Sequence, residues 1–342
     1  MKRKSIPLAI FTLLPLCILI VYFPGLSGGF VFDDFSNIVL SPGIAIQEFS
    51  WDSIKNAALS MDGRPIVRAT FGLNYLATGL DPYYFKLVNI VIHSINSILL
   101  FGLMLLIVKH HLKMNGLKTI ESKTLVLAAI VALAWALHPV NLTNVLYSVQ
   151  RMNSMSAMFV LAGMISYTSG RLSLDVSPLK SWLLIIASMV IFLPLAWLSK
   201  ENGALLPLFL FVLEVTFFRF SVTETKNKKR LYAFFIIFLL IPTIVGLYYI
   251  AQHYGFFQRG YGNRHFDLIE RLLTEPRIIW LYIQMILLPT PSIYSLFLDD
   301  IIVSRSLFEP ISTLIAIAGM GVLFTLAIFS IRRAPVLAFG PV

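Results

Sequence analysis

Two aspartates stand side by side at positions 33 and 34, in GGFVFDDFSNIV, directly after a long apolar run. Paired acids at a bilayer exit have two chemical uses. One carboxylate can take a proton from an acceptor hydroxyl as general base. Together, Asp33 and Asp34 can hold a hard divalent cation such as Mg²⁺ or Mn²⁺. In an extended chain the two side chains point to opposite faces. A shared site therefore needs a kink, which Gly28-Gly29 can permit. The competing structural role is a solvated helix exit or an N-cap.

Cations come next. Arg64 and Arg68, in GRPIVRATF, are four residues apart and share one helix face. Each guanidinium can donate two parallel hydrogen bonds to a phosphate; the plainer alternative is a basic interfacial helix on anionic headgroups. Arg151 opens the otherwise apolar QRMNSMSAMF, where a cation opposes the helix macrodipole. An anionic partner is expected, either Glu201 or a phosphate. Lys200 and Glu201, in SKEN between two apolar stretches, pose the same question. A Lys200–Glu201 or Arg151–Glu201 pair that staples helices is the structural alternative. His138, before Pro139, is ambiguous. His93, with Asn89 and Asn96 on its face, reads as interhelical glue. No His-x-x-x-His, Cys-x-x-Cys or Gly-rich phosphate loop occurs, so a zinc site and a P-loop are unsupported. Cys17 is the single cysteine, so no internal disulfide can form.

The elements that must position these groups are helices in a membrane. Of 342 residues, 58% are hydrophobic and only 13% charged, against roughly 25% charged in soluble domains. Mean hydropathy is +0.82, and apolar runs recur throughout. An all-α polytopic membrane protein follows; a β-barrel is excluded by the lack of alternating segments. The net charge of +10 sits in short loops, as orientation signals do, so no nucleic-acid partner is expected.

Threading by the positive-inside rule starts from Lys2, Arg3 and Lys4 in the cytoplasm. The first run reads as a retained helix rather than a signal peptide, because it ends in aromatics and Pro24 without a small-x-small site. About eight spans are expected, near 7–24, 83–108, 125–137, 144–168, 182–198, 203–219, 231–251 and 311–330. Residues 25–82 form an external loop in which SWDSIKNAAL and RPIVRATFGLNYLATG lie at the interface. Residues 252–310 form a second external loop, whose apolar patch 278–289 is too short to cross a core ~30 Å thick. Both termini are then cytoplasmic, with Arg332 and Arg333 inside, and the polar groups collect on the outer side. Asp62 belongs to that outer set. The whole chain, 1–342, reads as a single domain whose end, RRAPVLAFGPV, resembles a further helix cut short.

An acid that can act as base, arginines for phosphate and an outer membrane cavity suit sugar transfer from a polyprenyl phosphate. In order, FVFDDFSNI, GRPIVRATFGLNY, YYFKLVNIVIHSINSILLF, HPVNLTNVLYSVQRMNSMSAMF, LSKENGALLPL and SRSLFEP resemble the membrane half of the transmembrane-and-TPR O-mannosyltransferases and their bacterial relatives, within the GT-C superfamily. Each motif alone is weak; six in one order are fairly specific.

The resemblance implies a GT-C-like helical bundle and an inverting, mannosyl- or hexosyl-type glycosyltransferase. It implies a catalytic carboxylate at Asp33 or Asp34 in the first external loop. Arg64, Arg151, Lys200 and Glu201 fall in the matching motifs and would line the donor pocket, with Arg68 and His138 as further candidates. The implied partners are a lipid-linked sugar, membrane lipid and an acceptor protein or glycan. The implied location is a bacterial inner membrane, with the site facing the periplasm. Many relatives carry TPR repeats after the membrane part, and none is present here, which leaves the acceptor open. No cofactor is demanded; the Asp pair could hold a divalent cation, but two carboxylates do not establish a metal requirement. The rival functions are a transporter or lipid flippase, which predicts internal repeats and broken helices at the midplane, and a scaffold that tolerates loss of Asp33.

Overall fold

The computed structural model describes residues 5–60, 63–114, 116, 121–262, 264–290, 294 and 301–331. Lys2, Arg3, Lys4, Asp62, Arg332, Arg333 and the segment RRAPVLAFGPV lie outside the described residues. Among those described, helix is the only regular structure. The chain divides into two compact units, Met1–Leu210 and Phe211–Val342.

The first unit carries the residues singled out above. Helix α1 (Ser5–Tyr22) runs into a short 3-10 turn and the acidic segment. Two helices follow, α2 (Trp51–Ala58) and α3 (Pro65–Thr78), matching the two expected interfacial stretches. Ser50 caps α2 through its side chain, and Pro65 starts α3 where a missing N–H is harmless. Next come α4 (Pro82–Met114) and α5 (Glu121–Ala136). After a bend of 52° the chain continues through α6 (Leu142–Leu146) to α7 (Arg151–Ser173). Then α8 (Pro178–Ala187) passes through a π segment into α9 (Leu193–Trp197), and α10 (Leu206–Leu213) follows a 3-10 turn at Glu201–Leu205.

Small residues let these helices approach. Ala128 and Ala132, fully buried one turn apart on α5, pack against Leu14 of α1 and Phe101 of α4. Gly163 and Gly170 do the same on α7: a side chain at Gly170 would collide with the carbonyl of Ser181 on α8.

The bend after α5 finds partners for its freed carbonyls, as membrane burial demands. Pro139 has no N–H to return to the last turn. The freed Trp135 carbonyl accepts from Asn141 Nδ2 at 2.7 Å, and the Ala136 carbonyl from Tyr22 Oη at 3.1 Å. His93 Nε2 lies 2.8 Å from the same Ala136 oxygen. His138 Nδ1 accepts from the N–H of Val140 at 3.2 Å. The reading of His93, Asn89 and Asn96 as glue therefore holds: Asn96 donates to the Ser154 carbonyl at 2.8 Å, across to α7.

In the second unit, α11 (Thr225–Phe235) leads through a π turn to α12 (Ile241–Gln252) and α13 (Tyr254–Arg259). Then α14 (Leu268–Leu287) packs on α15 (Ser312–Ser330), with Trp280 Nε1 donating to the Ala316 carbonyl at 2.9 Å. The expected short patch 278–289 is mostly the second half of α14, a longer helix opened by a capping box of Asp267 and Glu270.

Six helical stretches are long and apolar enough to cross a membrane, and a seventh if the bent pair 122–136 and 139–146 counts as one. This is an integral membrane protein of the all-α polytopic class. The fourth expected span, 144–168, corrects to α7. That helix has ample length but too many polar residues to qualify, and it buries Ser154, Ser156, Thr168 and Arg171 against its neighbours.

Candidate active site

The acidic pair sits on a tight turn. Phe32 adopts φ of 44°, a left-handed conformation unfavourable for a bulky residue. Two backbone bonds close the turn, Asp34 N to Val31 O at 2.9 Å and Phe35 N to Phe32 O at 3.0 Å. The expected kink at Gly28-Gly29 thus lies at Phe32; Gly28 is extended.

This turn separates the two carboxylates. Asp34 is fully buried, while Asp33 is exposed. Asp34 Oδ2 accepts from Val31 N at 3.1 Å and Oδ1 from Val149 N at 2.7 Å, with Ser148 N also bonded. Burial pushes the Asp34 carboxyl above its ordinary 3.8, although those three N–H groups and the nearby Lys86 charge pull it down. Lys86 is itself buried, and its ammonium donates to the carbonyls of Gly25 and Gly28. Among the described residues, no group of three or more His, Cys, Asp or Glu side chains is placed to hold a metal ion.

Asp33 faces the other way. Its N–H donates to Tyr147 Oη at 2.8 Å. Its carbonyl accepts from Asn37 Nδ2 at 2.9 Å and Ser36 Oγ at 3.2 Å. The exposed carboxylate is therefore held at its backbone on both sides.

Arg68 fixes the loop behind it. Its side chain is 1% exposed. It donates to Asn37 O at 2.9 Å, to Ser41 Oγ at 2.6 Å and to Ser60 Oγ from two nitrogens at 3.1 and 2.6 Å. Burial lowers its pKa from the ordinary guanidinium value. One turn earlier, Arg64 takes a different role. It forms a two-pronged pair with Glu201, both bonds at 3.1 Å, and points a third N–H at Met152 Sδ. This pair is partly open, its side chains 33% and 57% exposed. Lys200 stands beside it: burial and the Arg64 charge lower its pKa, and Glu201 opposes them. Among the described residues, two cations against one carboxylate leave a net positive, half-open cluster.

Arg151 is the largest departure from expectation. It is fully buried and meets no carboxylate among the described residues; Glu201 belongs to Arg64 instead. Its acceptors are neutral: Asn89 Oδ1 at 2.9 Å, Asn74 Oδ1 at 2.7 Å, Phe85 O at 3.0 Å, and Thr70 O and Oγ1 at 3.2 and 3.4 Å. The guanidinium also lies 4.7 Å from the Phe71 ring centre and 5.4 Å from that of Phe85. Dipoles and ring faces balance the charge that an anion was expected to balance. Arg151 so joins α3, α4 and α7. His138 caps the bend after α5.

Two residues of the site escaped the sequence reading. Tyr147 lay inside an expected span. Lys86 was absorbed into another, though a lysine early in an apolar helix signals a buried partner.

No family model matches the chain, and no solved structure does. Curated proteins do. Human protein O-mannosyl-transferase TMTC3 is 28% identical over 192 residues, covering 53% of this chain and 19% of its own length. The chain resembles the TMTC O-mannosyl-transferases. Human protein O-mannosyl-transferase TMTC1 is 30% identical over 156 residues, 43% of this chain and 16% of its own. The fruit-fly (Drosophila melanogaster) protein O-mannosyl-transferase Tmtc3 is 25% identical over 201 residues, 54% of this chain and 22% of its own. The chain thus spans about a fifth of the length of the curated TMTC relatives it matches.

Proposed function

We propose that the chain is a membrane glycosyltransferase that moves a mannosyl-type hexose from a polyprenyl-phosphate donor to a hydroxyl of a protein Ser/Thr or envelope glycan. The observation that carries this reading is the separation of the acidic pair. Asp34 is a structural acceptor locked onto backbone N–H groups, and it leaves Asp33 as an exposed carboxylate on a fixed backbone. Asp33 is the base. It takes the acceptor's hydroxyl proton as that oxygen bonds to the anomeric carbon. The bond from that carbon to the phosphate oxygen breaks, its electron pair leaves with the polyprenyl phosphate, and configuration inverts. Arg64 and Lys200 offset the charge growing on the leaving phosphate. Glu201 holds Arg64 until the phosphate arrives. Basic loops elsewhere in the chain support an exoplasmic face, periplasmic in a bacterial inner membrane. The curated relatives' names support a mannosyl donor and a protein acceptor.

The test is sugar transfer in membranes from a host lacking the protein, with radiolabelled polyprenyl-phosphate sugars. Asp33→Asn is expected to lower transfer by about 10²-fold or more with donor binding and thermal stability retained. Undiminished transfer by Asp33→Asn removes Asp33 from the chemistry, and no transfer by wild type from any donor overturns the enzyme reading and favours a scaffold.

A further inference from the structure

A cavity of about 430 Å³ lies within the first unit, away from the face of α7 that carries Arg151. That size falls in the ~300–1,000 Å³ range of small-molecule sites. Five asparagines line it: Asn96, Asn141, Asn144, Asn153 and Asn202, with the indole of Trp135. Asn153, Ala157 and Val160 recur at helical spacing and turn one face of α7 toward it. Among the described residues, His93 is the one titratable side chain in its wall, its Nε2 turned to the Ala136 carbonyl, and no lysine, arginine, aspartate or glutamate contributes.

The amides are held in a chain. Asn153 Nδ2 donates to Gln150 Oε1 and stands 3.5 Å from Asn144 Oδ1. Asn144 Nδ2 stands 3.5 Å from Asn141 Oδ1, and Asn141 Nδ2 donates to the Trp135 carbonyl. Asn96 is 1% exposed, and its Nδ2 is bonded to Ser154 O. Its Oδ1 is buried and has no hydrogen-bond partner.

The wall chemistry narrows the occupant. A charged ligand would be desolvated with no counter-charge. An apolar ligand would strand the amides. A ring of hydroxyls, each both donor and acceptor, matches amides that offer both. We infer that this cavity binds a neutral hexose ring. The hexose as ligand rests on the glycosyltransferase reading above; the neutral polyhydroxyl class rests on the wall alone. The ring belongs either to the lipid-linked donor or to a sugar on the acceptor.

The experiment uses the full chain in lipid nanodiscs with three probes: methyl α-mannoside, polyprenyl phosphate and polyprenyl phosphomannose. Two variants act on the cavity. Ala157→Phe fills it, and Asn144→Leu removes one amide from its wall. Both are expected to weaken mannose recognition at least tenfold, while polyprenyl phosphate binding, which also reports a folded protein, stays unchanged. Loss with polyprenyl phosphomannose identifies the donor's sugar; loss with methyl α-mannoside alone identifies the acceptor's. Wild-type protein that binds neither mannose probe, or variants that bind both as wild type does, overturn the inference and leave a hydrated cavity. Asp33→Asn separates the two readings: undiminished transfer with that variant removes the proposed base without altering mannose binding.

Discussion

The N–H of Asp33 donates to the hydroxyl of Tyr147 at 2.8 Å, across 114 residues of chain. Two residues on, the N–H of Val149 holds Asp34, and two beyond that Arg151 fastens α7 to α3 and α4. One short segment therefore sets the exposed acid, the buried acid and the packing of the helices behind them.

Tyr147→Phe tests the first link. The ring still packs, and only the hydroxyl is lost. Stability should fall by about 0.5–1.5 kcal/mol, the net worth of one hydrogen bond. With Asp33 less firmly placed, kcat should drop several-fold while the donor KM stays put. Steady-state kinetics beside thermal unfolding checks both.

Asp34 predicts a pH dependence. Its folded pKa lies above the ordinary 3.8 because the carboxylate is buried. Its contribution to stability is therefore full below 3.8 and lost as pH rises through the folded value. Asp34→Asn does not titrate. The Tm of wild type minus that of Asp34→Asn should be greatest in acid and decline toward neutral pH. A difference that grows with pH would contradict the burial argument.

Arg151→Lys separates architecture from substrate contact. Lysine cannot reproduce five directed N–H bonds or stack flat on Phe71 and Phe85. Lost bonds to a charged donor are worth about 1.5–3 kcal/mol each, so folded yield should fall sharply. The surviving folded fraction should keep the wild-type donor KM. A raised KM at unchanged stability would return Arg151 to the donor pocket.

Glu201→Gln releases Arg64. A partly exposed pair contributes about 0–1 kcal/mol, so stability should barely move. The KM for a lipid-phosphate donor should fall several-fold near neutral pH. Glu201 also raises the Lys200 pKa. Without it, Lys200 loses its proton at lower pH, and the donor KM should climb earlier on the alkaline side than in wild type.

Hydropathy made the fold class legible, because a helix facing lipid must be apolar along its length. It misjudged α7, whose serines and Arg171 are buried against neighbouring protein. Arg64, Lys200 and Glu201 were legible as a charged group near one another in function. Their pairing was not, since a motif gives residue types and no partner. The division of labour between Asp33 and Asp34 depends on the positive φ at Phe32, and a phenylalanine carries no signal for that conformation. Arg151 defeated the search for a carboxylate because Asn74, Asn89 and Thr70 are neutral.

The bend after α5 bears on how the protein is made. Its freed Ala136 carbonyl is met by Tyr22 on α1 and His93 on α4, and both precede α5 in the chain. Ribosomal synthesis therefore delivers the two partners to the bilayer before the broken helix arrives. The bend can close as it leaves the translocon, with no wait for later helices. A chain in which α1 followed α5 would send the break into lipid with one of its two partners still unmade.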